Sequence, residues 1–238
     1  MGCGPAIIIS CRRTCAGPKT EGIPMQDPTG FYTTQLADRP ALQGCISALV
    51  SAHQQLVTCF QSGGKLLICG NGGSWADSVH IAGELMKRFA IERQPGEEAR
   101  ALLGDWPDAD VLLKELEPAL PVVALGCQGS LWTASMNDRD EARIVFAQEC
   151  YALGQSGDVL LGISTSGNAT DVIMAMGAAR LKGMHLLSLT GPDGGTMATR
   201  ADVAIRAPGE SVPAIQENHM PLYHALCLGI ERHFFAAD

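Results

Sequence analysis

The chain has 238 residues, 46% of them hydrophobic and 18% charged. That excludes a disordered segment and leaves room for one generous α/β domain with a sizeable core. A net charge of −8 and a pI of about 5.2 argue against non-specific nucleic-acid binding and leave a local anion site open.

Residues 1–29 carry Gly, Pro and Cys without periodicity and read as a loose N-terminal extension, with the domain proper at 31–238. Ala6–Ser10 is followed, not preceded, by Arg12 and Arg13, the wrong order for a secretory signal. Met1-Gly2-Cys3 suggests acylation, but Ala6 stands where the myristoylation pattern has Ser or Thr. No apolar run approaches ~18 residues, so no membrane partner is expected. The nine cysteines form no zinc-ribbon or C-x-x-C spacing; Cys69 and Cys227 read as buried thiols, and the odd count suits a reducing, cytoplasmic setting.

From about Phe31 to Phe60 the apolar residues recur at helical spacing, with Pro40 as a first-turn or break position. Lys65–Phe89 organises the rest. Leu66–Cys69 has the length of a buried strand, Gly70-Asn71-Gly72-Gly73 breaks it, and Ser74 is expected to cap a helix. Such a turn serves an anion site or merely a connection; it matches neither the dinucleotide pattern nor a Walker loop. His80 and Glu84 are four apart and share a helix face, as surface pairs and metal ligands both do.

Ile91–Leu120 is charged and holds Pro95, Pro107 and Pro118; it reads as a surface insertion with a short helix over 105–117. Pro121–Leu125 is a second strand, followed by a polar turn and helix start, Met136-Asn137-Asp138, and a helix from about Glu141 to Leu153. Asp158–Ile163 is a third strand, running into Ser164-Thr165-Ser166-Gly167-Asn168 and a helix over 169–182 with Gly183 at its end. Met184–Leu189 and Asp202–Ala207 are further strands, with a short helix start at Met197–Arg200 between them and a long helix over 213–235 closing the chain. Apolar strands alternating with helices predict a parallel sheet covered on both faces, with ligands beyond the carboxyl ends of the strands. The three hydroxyls of 164–166 exceed what one helix cap requires and suit an anion with several acceptor oxygens.

Gly70-Asn71-Gly72-Gly73-Ser74, His80-x-x-x-Glu84, Ser164-Thr165-Ser166-Gly167-Asn168 and Gln216-Glu217-x-His219 with His224 together resemble a sugar-isomerase (SIS) domain, and within it the sedoheptulose 7-phosphate (phosphoheptose) isomerases. The likeness covers about Leu36 to Phe235. It implies a three-layer α/β sandwich around a five-stranded parallel sheet, in a cytoplasmic homotetramer with active sites at subunit interfaces. It further implies interconversion of sedoheptulose 7-phosphate and D-glycero-D-manno-heptose 7-phosphate, for heptose biosynthesis. One zinc per site is implied, on His80, Glu84, Gln216 and His224. Substrate contacts are implied at Asn71, Gly72, Gly73, Ser74, Asn137, Asp138, Ser164, Thr165, Ser166 and Gln216. Where relatives commonly have Ser, this chain has Ala169.

Moving a carbonyl between neighbouring sugar carbons needs a base at carbon, stabilisation of the enediol oxygen and proton traffic between two oxygens. The resemblance assigns Glu84 as base and His224 as second acid/base. A carboxylate held on zinc is a poorer base, so Glu84 either leaves the ion or the zinc is organisational. Gln216 and His224, eight residues apart on one straight helix, are ~12 Å and about 80° out of phase. Gln216 is therefore expected at or before the helix start, or one ligand comes from a neighbouring subunit. A non-catalytic SIS module, binding a phosphosugar or a DNA-replication initiator protein, has little need of all four side chains. An isomerase of another phosphosugar stays open through Ala169 and the insertion.

Overall fold

A computed structural model describes residues 25–236. The extension up to residue 24, with Cys3, Cys11, Cys15 and the signal and acylation questions, lies outside the described residues.

Ten helices and five strands are described. Helix α1 (Pro28–Gln35) starts from an Asp27 carboxylate that accepts the Gly30 N–H; a 3-10 turn at Pro40–Cys45 then leads into α2 (Ile46–Gln61), so the chain breaks at Pro40 as its fixed φ requires. Strand β1 (Leu66–Gly70) is followed by α3 (Gly73–Leu85). The expected insertion carries two helices, α4 (Glu97–Leu103) and α5 (Ala109–Glu115), and neither buries a residue. Only the second of these was expected. Strand β2 (Val122–Ala124), α6 (Gly129–Asp138) and α7 (Val145–Leu153) come next. The chain then runs through β3 (Val159–Ser164), α8 (Thr170–Leu181), β4 (His185–Thr190), α9 (Gly195–Arg200), β5 (Val203–Arg206) and α10 (Val212–Phe235).

All strands are parallel, in the order β2-β1-β3-β4-β5. Because side chains alternate across a strand, Leu66 and Ile68 of β1 point into one core and Leu67 and Cys69 into another. The first core gathers α1, α2, part of α3 and α10; the second gathers α7, α8 and Met197 of α9. Two cores on two sheet faces are the expected three-layer α/β sandwich, with Met176, Met184 and Met197 as core filling. Cys69 and Cys227 are buried free thiols, and burial pushes both pKa values up. No described helix is long and apolar enough to cross a membrane.

The order of strands decides where a ligand fits. After β1 the chain turns to one side, through α3 to β2; after β3 it turns to the other, through α8 to β4. Helices α3 and α8 cover opposite faces, so the β1 and β3 carboxyl ends open a crevice at the point of reversal.

Candidate active site

Two loops line that crevice. At Gly70 a side chain would press 2.8 Å from the Ser74 backbone, and Gly72 takes φ +55 to begin α3. Both positions therefore require glycine. The cap is Gly72, not Ser74 as the sequence suggested: Ser74 lies inside the first turn, buried, its N–H on the Asn71 carbonyl. No side chain caps α3 or α8. With the Ser74 N–H on the Asn71 carbonyl and the Val172 N–H on Asp171 Oδ1, what the two helix starts leave to an anion is their first N–H groups, those of Gly73 and Thr170. The Asn71 amide donates to Asp171 Oδ1 in the first turn of α8 (2.9 Å), tying the loops together.

In the second loop, the Ser164 and Ser166 hydroxyls lie 3.4 Å apart and the Asn168 N–H donates to Ser166 Oγ at 3.2 Å. Asn168 is spent on structure: its Oδ1 accepts from both the N–H and hydroxyl of Thr196 (3.0 Å each) and its Nδ2 donates to the Ser166 carbonyl. The β4–α9 turn thereby braces the hydroxyl loop. His219, buried on α10, braces the same turn by bonding the Thr190 carbonyl at 3.2 Å; burial lowers its pKa, against that hydrogen bond, and its Nδ1 has no partner.

Two turns along α3, His80 Nε2 meets Glu84 Oε1 at 2.9 Å. Helix α10 brings His224 against them, its ring centroid 5.0 Å from that of His80 and nearly perpendicular, with Phe89 on another side at 5.3 Å. His224 Nε2 is buried with no partner. Burial, then the neighbouring His80, lowers the His224 pKa, with Glu84 opposing, so the ring is neutral at neutral pH.

Gln216 is elsewhere. Its Nε2 sits 2.5 Å from where a Gly73 side chain would begin, at the mouth of α3 and about 10 Å along that helix from His80. The expectation that it stands at or before the helix start is corrected: Ser211 accepts from the Ala214 N–H, α10 begins at Val212, and Gln216 and His224 share the unbroken helix. Asn137 and Asp138 end α6, exposed, with a 2.9 Å bond to each other. Lys87 and Arg88 turn outward; Arg88 pairs with Glu92 and Glu117.

Two neighbours escaped the sequence reading. The Tyr223 hydroxyl lies 3.0 Å from His80 Nδ1 and donates to Asp77 Oδ1 at 3.3 Å. Burial raises the Asp77 pKa, against that hydrogen bond and His80. Asp77 was legible in principle, since positions 77, 80 and 84 share one helix face.

The SIS domain family model matches residues 113–191. The phosphoheptose isomerase of Shewanella frigidimarina is 39% identical over 201 residues, 83% of this chain and 89% of its own length. That of Shewanella pealeana is 41% identical over 194 residues, 80% and 86% of the two chains. Among solved structures, the phosphoheptose isomerase of Neisseria gonorrhoeae is similar with a TM-score of 0.63 at 35% identity, over 84% of this chain and 96% of its own. That of Francisella tularensis gives 0.65 at 28%, over 86% and 93%. The pairing of two uncapped helix ends with a His–Glu–His cluster thus stands in a chain that belongs to the phosphoheptose isomerase family of SIS-domain proteins.

Proposed function

We propose that this protein is an aldose–ketose isomerase that interconverts sedoheptulose 7-phosphate and D-glycero-D-manno-heptose 7-phosphate for heptose biosynthesis in the cytoplasm. The observation that carries the reading is the meeting of His80 and Glu84 on α3 with His224 on α10. The phosphate lies over Ser164, Thr165 and Ser166 and the α8 N-terminus, where Ala169 withholds one hydroxyl and leaves backbone donors to do more of the work. Asn71, Gly72, Gly73, Ser74 and Gln216 contact the sugar at the mouth of α3. Asn137 and Asp138 are assigned to substrate on resemblance to the family alone.

Glu84 takes the proton from C1 of the ketose and returns it to C2. His224, neutral through burial, accepts the O1 proton and passes one to O2. While no ion stands between them, His80 Nε2 at 2.9 Å from Glu84 Oε1 aims the carboxylate.

Among the described residues no group of three or more His, Cys, Asp or Glu is drawn together as a ready metal cage. The donors nonetheless fit zinc: two imidazoles and a carboxylate adjoin, and the buried, unpartnered His224 Nε2 is a ligand atom without its counterpart. His80, Glu84 and His224 would hold one ion per site. Gln216 is the implied fourth ligand, and its place by Gly73 favours its serving the site from a neighbouring subunit of a homotetramer. Zinc, when bound, supplies a Lewis acid for the developing enediolate oxygen.

The test is incubation with sedoheptulose 7-phosphate, following formation of a new aldose phosphate, beside Glu84→Gln and His224→Ala. Turnover by wild type and its loss in both variants supports the assignment; three proteins that behave alike overturn it.

A further inference from the structure

We propose that Asp171 is a specificity-determining positioning residue: by holding the Asn71 amide it fixes the span between the mouth of α3 and the hydroxyl loop, and so the length of sugar phosphate that the crevice turns over. The inference rests on the isomerase reading above. Asn71 Nδ2 donates to Asp171 Oδ1 at 2.9 Å, across 100 positions of sequence. The bond uses the amide N–H and leaves the Asn71 side-chain carbonyl for a sugar hydroxyl.

The ladder between β1 and β3 sets the strands but not the loops beyond them. Its last pair is Gly70 with Ile163. From there the chain segments part, because α3 and α8 cover opposite faces of the sheet. Among the described residues, the Asn71–Asp171 bond is the hydrogen bond that rejoins the two loops. Each end of it is continuous with one end of the proposed substrate. Asn71 lies two residues before Gly73, where α3 begins, and that helix carries His80 about 10 Å further along with Glu84 one turn beyond. Asp171 is the second residue of α8, directly behind the Ser164–Asn168 loop. The bond therefore sets the distance from the reacting carbons to the phosphate.

A carboxylate repels a phosphate bound at the same helix start, so its place here calls for a compensating gain. Asp171 is half-buried, and its Oδ1 also accepts the Val172 N–H at 2.9 Å, so α8 itself orients the carboxylate. A charged acceptor makes a stronger hydrogen bond than a neutral one, and the gain is a firmer tie to Asn71. Sugar phosphates one carbon apart differ in length by a single bond of about 1.5 Å. Misplacing the reacting carbon by about 1 Å is enough to cost about 10²-fold in turnover. A firm span therefore rejects the shorter chain, and a loose one lets the two loops close on it.

The experiment uses the full chain in zinc-supplemented buffer. The kcat/KM is measured for sedoheptulose 7-phosphate and for fructose 6-phosphate, a ketose one carbon shorter, with wild type, Asp171→Ala and Asp171→Asn. Both sugars carry the same phosphate, so lost charge or a general structural defect shifts both alike and drops out of their ratio. Wild type is expected to favour the heptulose by about 10²-fold. Asp171→Ala should narrow that ratio about tenfold, while Asp171→Asn, which keeps an acceptor for Asn71, should stay within about threefold of wild type. Should Asp171→Ala fail to fold, Asp171→Ser, too short to reach Asn71, takes its place. A folded Asp171→Ala whose ratio stays within about twofold of wild type overturns the ruler and spares the isomerase reading. Equal narrowing in Asp171→Ala and Asp171→Asn does likewise, since only the first loses the bond. A wild type with no preference for the heptulose overturns the ruler too. Wild type that turns over neither sugar removes the isomerase reading and this inference with it.

Discussion

On the proposed reading Glu84 is both a ligand and a base. One oxygen is engaged by His80 at 2.9 Å, which leaves the other for carbon chemistry. Replacement by Gln keeps the shape and removes the base, so Glu84→Gln should cost 10²–10⁴-fold in kcat with the circular dichroism spectrum retained; steady-state kinetics on the purified variant checks it. A second residue-scale consequence lies away from the site. His53 is buried, accepts or donates at the Tyr32 hydroxyl (2.8 Å) and faces His233 at 5.6 Å. Burial first, then His233, lowers its pKa from 6.5 to about 4. The unfolded chain therefore takes up the proton before the folded one does. The contribution is whole above pH 6.5 and is lost as pH falls from 6.5 to 4, about 3 kcal/mol over that window. Urea midpoints at pH 7.5 and 4.5 should fall further apart for wild type than for His53→Gln, which keeps a partner for Tyr32 and does not titrate. Equal spacing in the two proteins would sink the assignment.

At the scale of elements, the hydroxyl loop proposed to hold the phosphate depends on a neighbouring turn. The β4–α9 turn supports it through the Thr196 bonds to Asn168, the Gly191 N–H on the Thr165 carbonyl and the Met197 N–H on the Gly167 carbonyl. Gly167 adopts φ +64, and a side chain there would strike the Gly194 carbonyl. Thr196→Val removes the hydroxyl bond and keeps the shape. It should raise KM several-fold and leave kcat near wild type, because the phosphate loop loosens while the His80–Glu84–His224 cluster is untouched; Thr196→Ser should restore binding. Equal losses in kcat and KM would mean a general structural defect. The strands were legible because a buried parallel strand is an unbroken apolar run, and the observed ends shift by a residue or two. The start of α3 was not: Ser74 has the chemistry of a cap, but the positive φ of Gly72 begins the helix two residues earlier in the turn. Helix α4 was missed because it buries nothing and so has no apolar stripe to read; Glu97 and Glu98 at its N-terminus are its main local support.

Over the whole molecule, spacing on one helix foretold His80 with Glu84, while the approach of α10 needed the family resemblance. Tyr223 reaches His80 across 143 positions, a contact that no periodicity encodes. Neither did spacing place Gln216, which one subunit leaves at the mouth of α3. Another face of that same helix is left uncovered by the single chain. Trp75, Val79 and Met86 are 37%, 40% and 53% exposed, and at four and eleven residues' separation they fall within about 40° of one another around α3. A stripe of this kind on the helix that carries His80 and Glu84 suits a subunit contact, and burying the Val and Met side chains alone would contribute on the order of 3 kcal/mol. Val79→Asn adds polarity and leaves the local charge as it is. If this stripe is a subunit contact, sedimentation should therefore show a smaller species than the wild-type assembly, with helical content retained. A variant that keeps its assembly would put the contact on another face, and on the proposed zinc reading a monomeric wild type would require all four ligands to come from one chain, which the position of Gln216 by Gly73 opposes.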